Sequence, residues 1–118
     1  MKALWKLNAE QLPFYVNTSN LTIAELIAES KTMCLRHKIE LIVIDFIQLI
    51  KSTQRGKENR EQEVSNIARE LKGLAKALNV PIIALTQVND DMRARESRGI
   101  EHAMDKMITI AKIGRAHV

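Results

Sequence analysis

The chain has 118 residues, of which 46% are hydrophobic and 27% charged, with a net charge of +4. This is chain enough for one small domain of ordinary globular composition. No apolar run approaches the roughly 18 residues of a membrane helix, a single cysteine excludes an internal disulfide, and 3% aromatic residues argue against a binder that stacks bases on aromatic platforms.

The opening segment, MKALWKLNAEQLPF, lacks the apolar core and cleavage site of a secretory signal, so a cytoplasmic protein with no membrane partner is expected. The basic balance suits a polyanionic partner contacted mostly through phosphates. His37, His102 and His117 show no metal-ligand spacing, and no zinc site is expected. Cys34 falls on an apolar helix face and reads as a core thiol.

Residues 1–12 carry little signal, with a short helix as one candidate. Residues 14–16 read as a short strand and 17–20 as a polar loop. Thr22 and Glu25 have the T-x-x-E spacing of a capping box. Ile23, Leu26, Ile27, Met33 and Cys34 then follow helical spacing, so a helix should run to about His37. A short loop leads into LIVIDFIQLI at residues 41–50. Its first four residues are apolar and three are β-branched. An unbroken run of this kind predicts a strand buried on both faces, as in a parallel sheet. Strand, helix and strand make a β-α-β unit with a right-handed crossover.

Asp45 falls at the carboxyl end of that strand, the edge where open α/β sheets bind ligands. A buried strand delivering a carboxylate there is the Walker B arrangement, in which the acid helps hold the Mg²⁺ of a nucleoside triphosphate. On this stretch alone, an Asp that merely ends the strand as a turn former fits as well.

KSTQRGKENR at residues 51–60 carries Lys51, Arg55, Lys57 and Arg60 and reads as an exposed, mobile loop. Asn59 can cap the next helix. Val64, Ile67, Ala68, Leu71, Leu74, Ala75 and Leu78 alternate steps of three and four and predict one amphipathic helix packed on the sheet. Gly73 lies off that stripe. Asn79 ends the helix, and Pro81 opens a strand, PIIALTQV, where its missing N–H is tolerated. Parallel strands joined by a helix end on the same side, so Thr86 and Gln87 should share an edge with Asp45. An amide there can bond a terminal phosphate or an attacking water; the alternative is an ordinary loop amide, and its occurrence with Asp45 on one edge counts against that. NDDMRARESRG at residues 89–99 is a second charged loop, residues 100–106 suggest a helical turn, and residues 107–110 a last strand.

Three segments taken together, LIVIDFIQLI, ENREQEVSNIARELKGLAKALNVPIIALTQVN and RARESRGIEHAMDKM, resemble consecutive motifs of the DnaB-type replicative DNA helicases. LPFYVNTSNLTIAELIAESK resembles the stretch before their Walker B strand. The resemblance covers about residues 11–110 in family order. It implies an α/β fold, an incomplete RecA-like parallel sheet flanked by helices and lacking the phosphate-loop strand. It implies that Asp45 is the Walker B acid with Mg²⁺, directly or through water, and that Gln87 senses the γ-phosphate of ATP. Arg95, Glu96 and Ser97 match a family loop that lines the central channel and holds the backbone of single-stranded DNA. Arg98 stands beside them, where the family often has glycine. A homo-hexameric ring, a primase and a helicase loader are the implied partners of the parent protein.

Departures accompany the match. Phe46 stands where the family often has tyrosine, and Ala103 where an acid is usual. No G-x-x-x-x-G-K-[ST] occurs in the chain, and the family's water-polarising glutamate and trans-acting basic residues lie outside the matched segments. Residues 1–112 are therefore expected to be a partial RecA-like ATPase domain within a longer motor. Residues 113–118, IGRAHV, do not continue the pattern and look like an adapter-encoded tail. The expected sheet has three parallel strands in the order 14–16, 41–46, 82–87. Two other readings remain open: another RecA-like ATPase of the recombination or circadian-clock type, and a truncated, non-catalytic module that binds DNA or helicase subunits.

Overall fold

The computed structural model describes residues 4–7, 13–52, 60–87 and 99–108. The chain order is β1 (Leu4–Leu7), β2 (Phe14–Asn17), α1 (Ile23–Arg36), β3 (Ile42–Ile44), a 3-10 turn (Ile47–Leu49), α2 (Arg60–Leu78) and β4 (Ile82–Ala84). A short helical stretch follows at residues 99–103.

The helices form where local chemistry places them. Thr22 caps α1: its Oγ1 accepts from the Glu25 N–H at 3.2 Å, and Glu25 Oε1 accepts from the Thr22 N–H at 3.0 Å. That reciprocal pair satisfies two N–H groups that have no partner within the helix. His37 closes α1, its N–H donating to the Met33 carbonyl at 2.8 Å. α2 buries Val64, Ile67, Ala68, Leu71 and Leu74, while Ala75 and Leu78 are half-buried. It ends at Asn79, whose φ of 56° is left-handed. The Asn79 N–H donates to Lys76 O at 3.3 Å and the Val80 N–H to Ala75 O at 3.2 Å. This is the Schellman arrangement, which turns the chain back toward the sheet.

β3 and β4 pair in parallel, Ile42 with Ile82, Val43 with Ile83 and Ile44 with Ala84. Their inner face packs on α2 and the 3-10 turn. The core joins Ile44, Ile47 and Ile50 to Ile23 of α1, to the α2 stripe, and to Ile100 and Ala103. α1 packs on α2.

Several expectations are corrected. Residues 14–16 do not extend the parallel sheet. β2 pairs antiparallel with β1, Leu4 opposite Asn17 and Leu7 opposite Phe14, in a separate two-stranded sheet. Residues 4–7 are thus a strand, not a helix. A partner a few residues away closes a hairpin at a lower loop-entropy cost than a crossover over α1. Consequently no β-α-β unit forms around α1; the unit that forms is β3-α2-β4. Its strands are shorter than the apolar runs suggest, three residues each.

β3 and β4 are also not buried on both faces. Val43 is 55% exposed, Ile83 51% and Leu85 44%. Helices cover one face only, and among the described residues no second layer covers the other. Cys34 is half-buried rather than a full core residue. Met107 and Ile108 belong to no regular element, and residues 109–110 of the expected last strand lie outside the described residues.

At the hairpin, Tyr15 Oη lies 3.0 Å from His37 Nδ1 and the two rings stack with centroids 4.3 Å apart. That contact joins β2 to the end of α1.

Candidate functional site

The carboxyl ends of β3 and β4 lie side by side. Past the last paired residues, the Leu85 N–H donates to Ile44 O at 2.9 Å and the Ile47 N–H to Leu85 O at 2.8 Å. The two exits therefore run together, with Asp45 on one and Thr86 and Gln87 on the other. Asp45 directly follows β3 and is exposed; Gln87 is exposed as well. The peptide bond between Asp45 and Phe46 is cis.

After Asp45 the chain makes the 3-10 turn instead of continuing as a strand. Ile47 and Ile50, 1% and 5% exposed, plug into the core on either side of the turn. Gln48, half-buried between them, faces the end of β4. Its Nε2 donates to Thr86 Oγ1 at 2.7 Å and to Gln87 O at 2.6 Å. Its Oε1 accepts from the Gln87 N–H at 3.1 Å. One carboxamide thus satisfies both backbone polar groups of Gln87.

The turn is held from two further sides. Arg60, in the first turn of α2, donates to the Gln48 carbonyl at 2.6 Å and pairs with Glu63. The Ser52 N–H also reaches Glu63 Oε2, at 3.3 Å. Lys51 forms a parallel bridge with Thr22: the Ile23 N–H donates to Lys51 O at 2.8 Å and the Lys51 N–H to Leu21 O at 3.3 Å. The segment from Asp45 to Ser52 is thereby tied to β4, α2 and the entry of α1. Arg60 was expected in an exposed loop; it begins α2, and Arg55 and Lys57 lie outside the described residues, as does the Asn59 cap.

Arg95, Glu96 and Arg98 also lie outside the described residues. On the far side of that segment the chain rests on α2 at Gly99, with Ile100 and Ala103 buried. Lys72 Nζ donates to Asp105 Oδ1 at 3.0 Å. That hydrogen bond first, and the ammonium charge second, hold the Asp105 carboxyl below the usual carboxylate range. Asp105 is exposed and Lys72 half-buried, and a surface pair of this kind adds little stability.

The placement of Asp45 and Gln87 on one sheet edge was legible from strand-end position. Gln48 and Glu63 were not singled out, and Arg60 was read only as a loop cation. The available signal was Gln48 itself, an uncharged polar residue inside an apolar run, because a polar group held among core residues needs a hydrogen-bond partner. Among the described residues no group of three His, Cys, Asp or Glu could hold a metal ion, and no helix is long and apolar enough to cross a membrane.

A parallel strand pair joined by a helix, with an acid and an amide at its carboxyl edge, is the architecture of α/β proteins that take ligands at that edge. Comparison with known proteins narrows this class. The family model of the DnaB-like helicase C terminal domain matches residues 2–104. The replicative DNA helicase DnaC of Bacillus subtilis (strain 168) is 40% identical over 90 residues, 76% of this chain and 18% of that protein. The replicative DNA helicase DnaB of Geobacillus stearothermophilus is also 40% identical over 90 residues, again 76% of this chain and 18% of that protein. That of Leifsonia xyli subsp. xyli is 38% identical over 102 residues, 86% of this chain and 20% of that protein. The chain belongs to the DnaB-like helicase C-terminal domain family. It spans about a fifth of the length of these curated relatives.

Proposed function

We propose that this chain is part of the ATP-driven motor of a replicative DNA helicase. The supporting observation is the shared edge: Asp45 and Gln87 leave adjacent parallel strands on the same side, joined by Gln48. In this reading the Asp45 carboxylate holds Mg²⁺, directly or through water. A lone exposed carboxylate fits that ion, which keeps several waters and takes one or two carboxylates beside phosphate oxygens. Bound Mg²⁺–ATP supplies the phosphoryl group and neutralises its developing charge. Gln87 hydrogen-bonds the γ-phosphate and so reports whether it is present. Arg95, with Glu96 and Arg98 beside it, engages the backbone of single-stranded DNA. The residues of this chain act by positioning and electrostatics rather than by covalent chemistry. The whole protein is a homo-hexameric ring that works with a primase and a loader.

In the full-length helicase, Asp45→Ala should abolish ATP turnover while thermal unfolding stays near wild type. Wild-type turnover in that variant would refute the metal role. Arg95→Ala should weaken single-strand binding and flatten its log–log salt dependence by about one unit of slope. An unchanged slope would count against a phosphate contact.

A further inference from the structure

We propose that Gln48 is a positioning residue that sets the stance of Gln87 and couples it to the first turn of α2. The proposal rests on the reading of Gln87 as the γ-phosphate sensor. β4 ends at Ala84, so Gln87 lies three residues beyond the last ladder pair. There the Gln48 side chain does what a neighbouring strand would do. It offers an acceptor to the Gln87 N–H at 3.1 Å and a donor to the Gln87 carbonyl at 2.6 Å. Holding both backbone groups of one residue fixes the direction of its Cα–Cβ bond. The Gln87 side chain stays exposed while its backbone is pinned.

Gln48 is itself fixed. Ile47 beside it is 1% exposed, so the turn cannot slide without opening the core. Its carbonyl accepts from Arg60 at 2.6 Å, and Arg60 is paired with Glu63. Asp45 lies three residues earlier, between the end of β3 and this turn. The metal-holding acid and the sensing amide are therefore registered to each other through one side chain. A shift of α2's first turn is transmitted to Gln87 along Arg60 and Gln48, with no direct contact between Arg60 and Gln87 required.

The test is made in the full-length helicase with Gln48→Met, which preserves side-chain length, removes the three carboxamide hydrogen bonds and keeps the backbone carbonyl that accepts from Arg60. ATP turnover, KM for ATP and ring assembly are measured beside Gln87→Ala and the double variant. Gln48→Met should lower kcat about tenfold, as a small misplacement of a reacting group does. KM should change less than about threefold, because Gln48 does not touch the nucleotide. In the Gln87→Ala background, Gln48→Met should have no further effect, since both changes act on one element. Thr86→Val, which removes only the hydroxyl acceptor, should give a smaller fall in kcat and serves as the readout should Gln48→Met fail to assemble. If Gln87→Ala removes turnover while Gln48→Met and Thr86→Val both leave it intact, the positioning role is overturned and the sensor reading survives. A full additional loss on combining Gln48→Met with Gln87→Ala would also overturn it. Wild-type turnover in Gln87→Ala would remove the sensor reading and this inference together.

Discussion

Gly73 lies on the exposed side of α2, and no atom comes within 4 Å of where its Cβ would be. Gly99 lies against the same helix, and a Cβ there would stand 2.7 Å from Ser65 Cβ and 2.8 Å from Ser65 Oγ. Chemically identical substitutions should therefore have opposite effects. Gly73→Ala should stabilise the chain by about 0.5–1 kcal/mol, the usual gain of alanine over glycine inside a helix. Gly99→Ala should cost about 1–3 kcal/mol through overpacking, by lifting Ile100 and Ala103 off α2. Urea titration of the two variants checks this; midpoints moving in the same direction would contradict it. The exposed placement of Gly73 was legible from its position off the apolar stripe. The tight contact of Gly99 was not, because it depends on a helix more than thirty residues away. Gln48 belongs with Gly99 in this respect: its partners lie 38 and 39 residues off.

Elements were legible to the degree that their signals are local. Thr22 and Glu25 marked the start of α1, and its end fell at His37 as the spacing suggested. The α2 stripe was readable because burial repeats every three to four residues along one face. Asn79 signalled the helix end because asparagine tolerates left-handed backbone better than most residues, and its φ of 56° bears this out. Strands were less well bounded. The run at 41–50 divides into strand, cis-linked turn and 3-10 turn. Apolar residues continue through all three because Ile47 and Ile50 fill the core from a turn as well as from a strand. Composition reports burial, and burial does not distinguish the two.

At the scale of the whole molecule, the outer face of β3 and β4 leaves Val43, Ile83 and Leu85 exposed. Val43 and Ile83 are direct neighbours in the register and both are about half exposed. A contiguous apolar patch of that kind favours association. The double substitution Val43→Thr with Ile83→Thr should reduce concentration-dependent self-association of the 118-residue chain in sedimentation velocity. Threonine keeps β-branching and strand preference, so the fold should persist. Unchanged association would place the adhesive surface elsewhere.

The sequence by itself determined the two helices, the Thr22 cap of α1 and the Asn79 end of α2, the parallel pairing of two apolar strands across α2, and the delivery of Asp45 and Gln87 to one edge. Each follows from patterns within a window of a few turns or from the geometry of a β-α-β unit. Only the tertiary structure decided that β2 turns back on β1 instead of joining the parallel sheet. It alone showed that, among the described residues, one sheet face stays open, and that Gln48 links the turn after Asp45 to the backbone of Gln87. These are choices among partners far apart in the chain. They are settled by loop entropy, by the covering layers present, and by the need of buried polar groups for partners.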